Sequence, residues 1–367
     1  MAQYATVSNA VENRPPWRSW RVLKWFITAV ALLVAAGAIF QFVMTVWDNH
    51  RYPPRGKLVD IGGLRLHINC TGMGTPTVIM EAGPNDSLVV WQLIQPQISR
   101  FTRVCSYDRA GFGWSDAPNE PRTSSNVAEE LDRLLTRAGV PGPYLLVAFE
   151  YGALNVRMFA SRHREQVVGM VLVDPVHPDM HHRAPFTRAT STPDRFHRFV
   201  SAARREAMFW SVPLGLARIL GWCRKTYTFP NQPNEWNRLA PEAAAQYCRL
   251  RAWRAEEAQA QDEDGSMPAK TGPFGDMPLV ILSHDPQVGA FRRFFPPAKA
   301  AKAEDTWAEM QEELRGLSSR SKRIVAKGSD RYVQIYRPEL VVAAVQEVVN
   351  DARGSMRFEA DPQTEYK

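Results

Sequence analysis

A strand-like run, Tyr144-Leu145-Leu146-Val147-Ala148, leads into Phe149-Glu150-Tyr151-Gly152-Ala153. This spacing sets a carboxylate where a strand would turn into a helix. The segment keeps the last glycine of Gly-x-Ser-x-Gly, a strained turn that exposes a nucleophile. A serine in that turn needs a base to take its proton and two backbone N–H groups to hold the oxyanion. Glu150 offers no hydroxyl, and the chain contains no other Gly-x-Ser-x-Gly.

The second candidate segment is Gly328-Ser329-Asp330-Arg331-Tyr332-Val333-Gln334. Arginine stays protonated and cannot accept the proton that activates a serine or a water. No histidine follows His284. A carboxylate nucleophile at Glu150, with Tyr151 beside it, would perform displacement at carbon, but its ester would still need a histidine-activated water. His284-Asp285 and Ser329-Asp330 are neighbours in sequence, which does not make a proton relay, so structural roles are expected for them. His177, His181 and His182 have helical spacing but no acidic partner set, and no Cys-x-x-Cys occurs. They read as the solvated root of an insertion, with neither metal nor cofactor expected.

The elements that must position these residues alternate. Leu58–Ile61 and Leu64–Cys70 flank Gly62-Gly63 as a hairpin. Thr77–Glu81, Thr102–Tyr107, Tyr144–Ala148, Val168–Val173, Pro278–Ser283 and Arg323–Ala326 follow as short apolar strands, with helical patterns at Ser125–Ala138 and Leu154–Arg162. Strands separated by helices predict a mostly parallel, eight-stranded sheet covered on both faces.

Tyr107-Asp108-Arg109-Ala110-Gly111-Phe112-Gly113-Trp114-Ser115-Asp116, Glu81-Ala82-Gly83-Pro84-Asn85-Asp86-Ser87 with Trp91, and Val171-Leu172-Val173-Asp174-Pro175 carry a resemblance. With the elbow, Pro278 to Pro286 and the Gly328–Gln334 segment, they resemble the α/β-hydrolase family, in particular membrane-anchored bacterial members. The resemblance runs from about Leu58 to Asn350. It implies a core of residues 58–177 and 277–350, a helical lid of residues 178–276, and a polar tail of residues 351–367. It also implies that Glu150 and Arg331 occupy the serine and histidine positions of a triad whose acid is Asp285, in the loop after the seventh strand. Asp174 is then a strand-end carboxylate that orders the following turn. The oxyanion donors fall at Pro84, which has no N–H, and Tyr151. An alignment shifted by one residue would make Gly83 the first donor. Glu150 and Arg331 should face each other as an ion pair, bridged further to Asp285; independent drift, with the two apart, is the alternative. Strands bearing Cys70 and Cys105 are neighbours in this fold, so a disulfide or two buried thiols are both open, and Cys223 and Cys248 lie in the lid.

From Trp25 to Trp47 no charge occurs and only Thr28, Gln41 and Thr45 are polar, enough to cross a bilayer as a helix. The alternative is a signal peptide cleaved near Ala36-Gly37-Ala38. Arg14, Arg18, Arg21 and Lys24 precede the span against Glu12 alone, so residues 1–24 are expected in the cytoplasm and the main domain on the other, periplasmic or extracellular, side. The net charge of +7 is concentrated: Arg183 to Lys225 holds nine basic residues against Asp194 and Glu206. With Phe196, Phe199, Trp210, Leu216, Ile219 and Leu220 interleaved, this stretch reads as a lid with solvated arginines or as a surface resting on an anionic membrane. No nucleic-acid-binding motif accompanies the charge, so no nucleic-acid partner is expected.

These readings converge on a membrane-anchored pseudoenzyme that binds a partner protein or a hydrophobic ligand. The alternatives are a residual or carboxylate-nucleophile hydrolase acting on a small hydrophobic substrate, and a structural subunit of a membrane complex.

Overall fold

A computed structural model describes residues 16–186, 206–207, 209–262, 271–360 and 364–366. Arg14 and Glu12 of the tail, and Arg188, Asp194, Arg195, Phe196, Arg198, Phe199, Arg204 and Arg205 of the basic stretch, fall outside these.

The strands are β1 (Lys57–Asp60), β2 (Arg65–Thr71), β3 (Thr77–Glu81), β4 (Val104–Tyr107), β5 (Tyr144–Phe149), β6 (Val167–Val173), β7 (Leu279–His284), β8 (Ser321–Ala326) and β9 (Thr364–Tyr366). They form one sheet in the order β1-β2-β4-β3-β5-β6-β7-β8-β9. β2 runs antiparallel to β1 and to β4, and every other pairing is parallel. Eight strands are those read from the sequence; the ninth, Thr364–Tyr366, is a short edge strand in the segment expected as a polar tail.

The middle strands are buried on both faces, as a parallel sheet covered by helices requires. Val78, Met80, Leu145, Val147, Val171 and Leu282 belong to one apolar cluster. Ile79, Leu146, Met170, Leu172 and Ile281, which alternate with them, belong to another. This period of two is what presents both faces of each strand to a different helical layer. Helix Ser124–Ala138 starts on Thr123, whose hydroxyl accepts from the Asn126 N–H, and stops at Gly139 in the left-handed region.

Between β6 and β7 the chain forms helices Leu216–Ile219, Trp222–Thr226, Asn234–Tyr247 and Leu250–Asp262. Disulfides join Cys70 to Cys105 and Cys223 to Cys248. The first ties antiparallel neighbours at one register position of β2 and β4, and the second staples two parts of the lid. The N-terminal helix runs from Pro16 to Arg51, and its Trp20–Arg51 portion is long and apolar enough to cross a membrane.

Candidate functional site

Glu150 follows β5 directly, with φ at +50°, a conformation that costs a non-glycine residue about 1–3 kcal/mol. The backbone holds it there: the Glu150 N–H donates to Val173 O at 3.0 Å, and the N–H groups of Ala153 and Val176 donate to Glu150 O at 3.1 Å each. Gly152 begins the following helix, and a Cβ on it would sit 2.6 Å from Ala82 O. Residue 152 is therefore glycine because helix and β3 loop meet there. The bend survives on backbone bonds alone, without the hydroxyl it normally presents.

Pairing of Phe149 with Val173 sets Asp174 beside Glu150 at the ends of adjacent strands. Asp174 also has positive φ, +43°, and is fully buried. Arg331 reaches both carboxylates: its Nε donates to Asp174 Oδ2 at 2.8 Å, and its Nη2 lies 3.0 Å from Glu150 Oε1. The second contact is an ion pair whose N–H is not directed along a hydrogen bond. The guanidinium also lies over Trp307, 4.6 Å from the ring centroid.

The structure thus brings Glu150 and Arg331 together, but the bridging acid is Asp174 and not Asp285. Asp285 has turned to local work, its Oδ1 accepting from Gln287 N–H and its Oδ2 from Gly328 N–H. Two backbone caps consume the carboxylate that the resemblance placed in the triad. Asp174, expected only to order a turn, is the hub, since its Oδ1 also accepts from Trp307 Nε1 at 2.9 Å and contacts His284 Nδ1 at 2.7 Å.

His284 closes β7 and is wedged between two acids, its other nitrogen 2.7 Å from Glu304 Oε2. Burial alone would lower its pKa, but the charge of Asp174 and the hydrogen bonds to both acids outweigh it and raise it to about 9. The imidazole is a buried imidazolium at neutral pH with both nitrogens occupied, so it has no lone pair to give a water. Asp174 resists protonation in turn: desolvation opposes its charge, but His284 and Arg331 hold it below the usual carboxylate range. For Arg331, burial is likewise outweighed by Glu150 and Asp174, which raise its pKa further. The order Glu150, Arg331, Asp174, His284, Glu304 alternates in charge across the ends of four strands and a helix.

The loop after β3 completes the site. Residue 84, one donor position expected from the resemblance, is proline and has no N–H. The loop's carbonyls face Arg109, which donates to Ala82 O at 2.5 Å, to Gly83 O, and to Pro84 O at 3.1 Å. Tyr151, the other expected donor position, remains at the start of the helix. Asp86 is buried, with Tyr332 Oη donating to its Oδ1 at 3.3 Å. Desolvation, and then the charge of Glu150, push its pKa up to about 7. Above the site, the Tyr332 ring packs between Phe149 and Phe229, with centroids 4.7 Å and 4.5 Å away. Tyr227 of the lid donates to Asn85 O at 2.7 Å. Side chains of the β6–β7 insertion therefore fill space directly over the elbow and its loop, leaving no water-sized space among Asn85, Ser87, Phe112 and Tyr227.

Sequence reasoning missed the parts played by Asp174, His284 and Glu304. One signal was present: a carboxylate ending the strand next to the elbow strand must lie beside residue 150. Among the described residues no group of acids, histidines and cysteines is arranged for a metal, and His177 instead accepts from the Asp179 N–H at 3.1 Å and lies 3.5 Å from Glu313.

The chain can now be compared with known proteins. A model of the α/β hydrolase fold matches residues 76–247. A probable transporter of Hormonema carpetanum is 25% identical over 315 residues, covering 80% of this chain and 42% of its own length. An uncharacterized protein of Bacillus subtilis is 25% identical over 293 residues, covering 80% and 91%. Among solved structures, a probable hydrolytic enzyme of Pseudomonas aeruginosa superposes with a TM-score of 0.60 at 17% identity, covering 81% of this chain and 95% of that one. With the sheet order and the elbow described above, these matches show that the chain has the α/β-hydrolase fold.

Proposed function

We propose that the protein is a membrane-anchored pseudoenzyme of this fold, which binds a partner protein or a hydrophobic ligand and does not hydrolyse it. The observation that carries the reading is Arg331, which stands where a base is needed and is occupied by Glu150 and Asp174. A guanidinium cannot take a proton, and these two carboxylates deepen that disability. Pro84 and the absence of a hydroxyl at residue 150 remove the two other requirements of acyl transfer independently. Against a carboxylate-nucleophile hydrolase stands His284, the one histidine beside the site, held protonated between two acids. The Trp25–Trp47 segment is read as a single span with the domain outside the cytoplasm. Two disulfides support that side, since such bonds persist in oxidising compartments.

The test is covalent labelling of the full chain, reconstituted in vesicles, with a fluorophosphonate. The expected result is no modified serine and no turnover of a short-chain ester; a labelled serine overturns the reading. The double variant Glu150→Ser with Arg331→His sets the proposed acid, Asp174, against the new imidazole. It is expected to gain labelling at residue 150, with slow turnover limited by Pro84. A folded double variant that stays unlabelled would mean that positions 150 and 331 are not where the missing chemistry was.

A further inference from the structure

The lid meets the N-terminal helix well inside its apolar run. A Cβ on Gly37 would sit 2.5 Å from Leu214 O, and one on Gly215 would sit 2.6 Å from Phe40 Cδ1. The two segments touch at Gly37 and Gly215, where neither position has room for a Cβ. Polar contacts lock the same surface: Gln41 Nε2 donates to Cys248 O at 2.8 Å, and Arg218 Nε donates to Gln41 Oε1 at 2.9 Å. Arg218 Nη1 lies 2.7 Å from Asp48 Oδ2, and Arg249 Nη2 donates to Asn49 Oδ1 at 2.7 Å.

Depth follows from helix geometry. With a rise of about 1.5 Å per residue, Gly37 lies about 15 Å along the axis from Trp47, and Gln41 about 9 Å. The apolar core of a bilayer is about 30 Å thick, so residues 37–41 of a span ending near Trp47 lie in one leaflet's acyl chains, well below its headgroups. The lid corner packed against them is at the same level. That corner bears the side chains such a level demands, since Trp210, Leu216, Ile219 and Leu220 are 58%, 44%, 65% and 50% exposed. Its arginine at 218 is turned inward onto Gln41 and Asp48. A cleft of about 580 Å³ runs between corner and helix, lined by Phe40, Met44, Trp47, Ile219 and Arg224 among others.

We propose that the lid corner Trp210–Leu220 is a second membrane element, submerged among the acyl chains of the leaflet that faces the main domain. This rests on the reading of the N-terminal helix as a span. The occupant of the exposed corner is bilayer lipid, and the cleft beside it opens to the same lipid.

All four cysteines are in disulfides, so a single new cysteine can carry an environment-sensitive fluorophore. The experiment compares Ile219→Cys, Val30→Cys and Met73→Cys in the full chain, reconstituted in phosphatidylcholine vesicles with spin-labelled lipids of shallow or deep label position. The probe at residue 219 is expected to lose emission to the lipid labels and to resist aqueous iodide. The probe at residue 30 should also lose emission to the lipid labels, and the one at residue 73 to iodide alone. A residue-219 probe open to iodide while the residue-30 probe is lipid-quenched overturns the submerged lid and leaves the span intact. A residue-30 probe open to iodide overturns the span, and the inference with it. Adding Gly37→Leu, which drives a side chain into the Leu214 carbonyl, should expose the residue-219 probe to iodide without moving the residue-30 probe. An unchanged residue-219 probe in that background overturns the helix contact on which the depth argument stands.

Discussion

Two arginines, Arg109 buried and Arg331 partly so, flank the strand ends of this sheet, and they are held in different ways. Arg109 spends its guanidinium on the carbonyls of Ala82, Gly83 and Pro84 and on Glu81, itself bound by Tyr107 Oη and Asn155 Nδ2. Arg331 contacts the side chains of Glu150 and Asp174. The first arginine shapes a loop; the second occupies a position whose backbone is set by other bonds. The difference teaches where this fold tolerates exchange. Residues 150 and 331 can change identity because the elbow is built by Val173 O, Val176 N–H and Gly152, whereas residue 109 cannot change without releasing the loop.

The comparison breaks most readily at Arg109. Arg109→Met would leave three carbonyls and Glu81 without their donor, and a loss of about 3–5 kcal/mol is expected in denaturant titrations of the solubilised chain. A loss under about 1 kcal/mol would dissolve the distinction drawn here. Next in size is a pH effect confined to the Arg331 side. His284 has its pKa raised from 6.5 to about 9, so its contribution is full below pH 6.5 and disappears as pH rises through about 9. That amounts to a loss on the order of 3 kcal/mol. Unfolding midpoints measured from pH 7.5 to 9.5, above the range in which Asp86 titrates, should fall for the natural chain and stay flat for His284→Asn. Smallest is Arg331→Met, expected to cost about 1–3 kcal/mol, because Asp174 keeps His284 and Trp307 while Glu150, 20% exposed at its side chain, can turn to water. A cost equal to that of Arg109→Met would show that both arginines are scaffold.

The α/β order of the sheet was legible because alternating apolar runs of the right length separate amphipathic helices. The contact between Glu150 and Arg331 was legible through the resemblance alone, which set the two residues at facing positions of a triad. The identity of the bridging acid was not. Asp174 and Asp285 both follow strands that end beside the elbow, and composition cannot tell which of them turns inward. The decision is made by backbone: two N–H groups cap Asp285, while a left-handed φ aims Asp174 at the site. The lid's contact with the N-terminal helix was illegible for a different reason. Gly37 inside an apolar run looks like any small residue, and only its pairing with a segment 177 positions away gives it meaning.

The Cys223–Cys248 bond has a mechanical consequence. Gln41 grips the carbonyl of the same residue, Cys248, that the disulfide fastens to the other lid helix. Tension along the N-terminal helix therefore enters the cover over the site as well as the strands, and the cross-link spreads that load across both lid segments. Removing that bond alone, by Cys223→Ser with Cys248→Ser, would turn a stiff coupling between the N-terminal helix and the cover into a compliant one, with the Cys70–Cys105 cross-link of the sheet left in place.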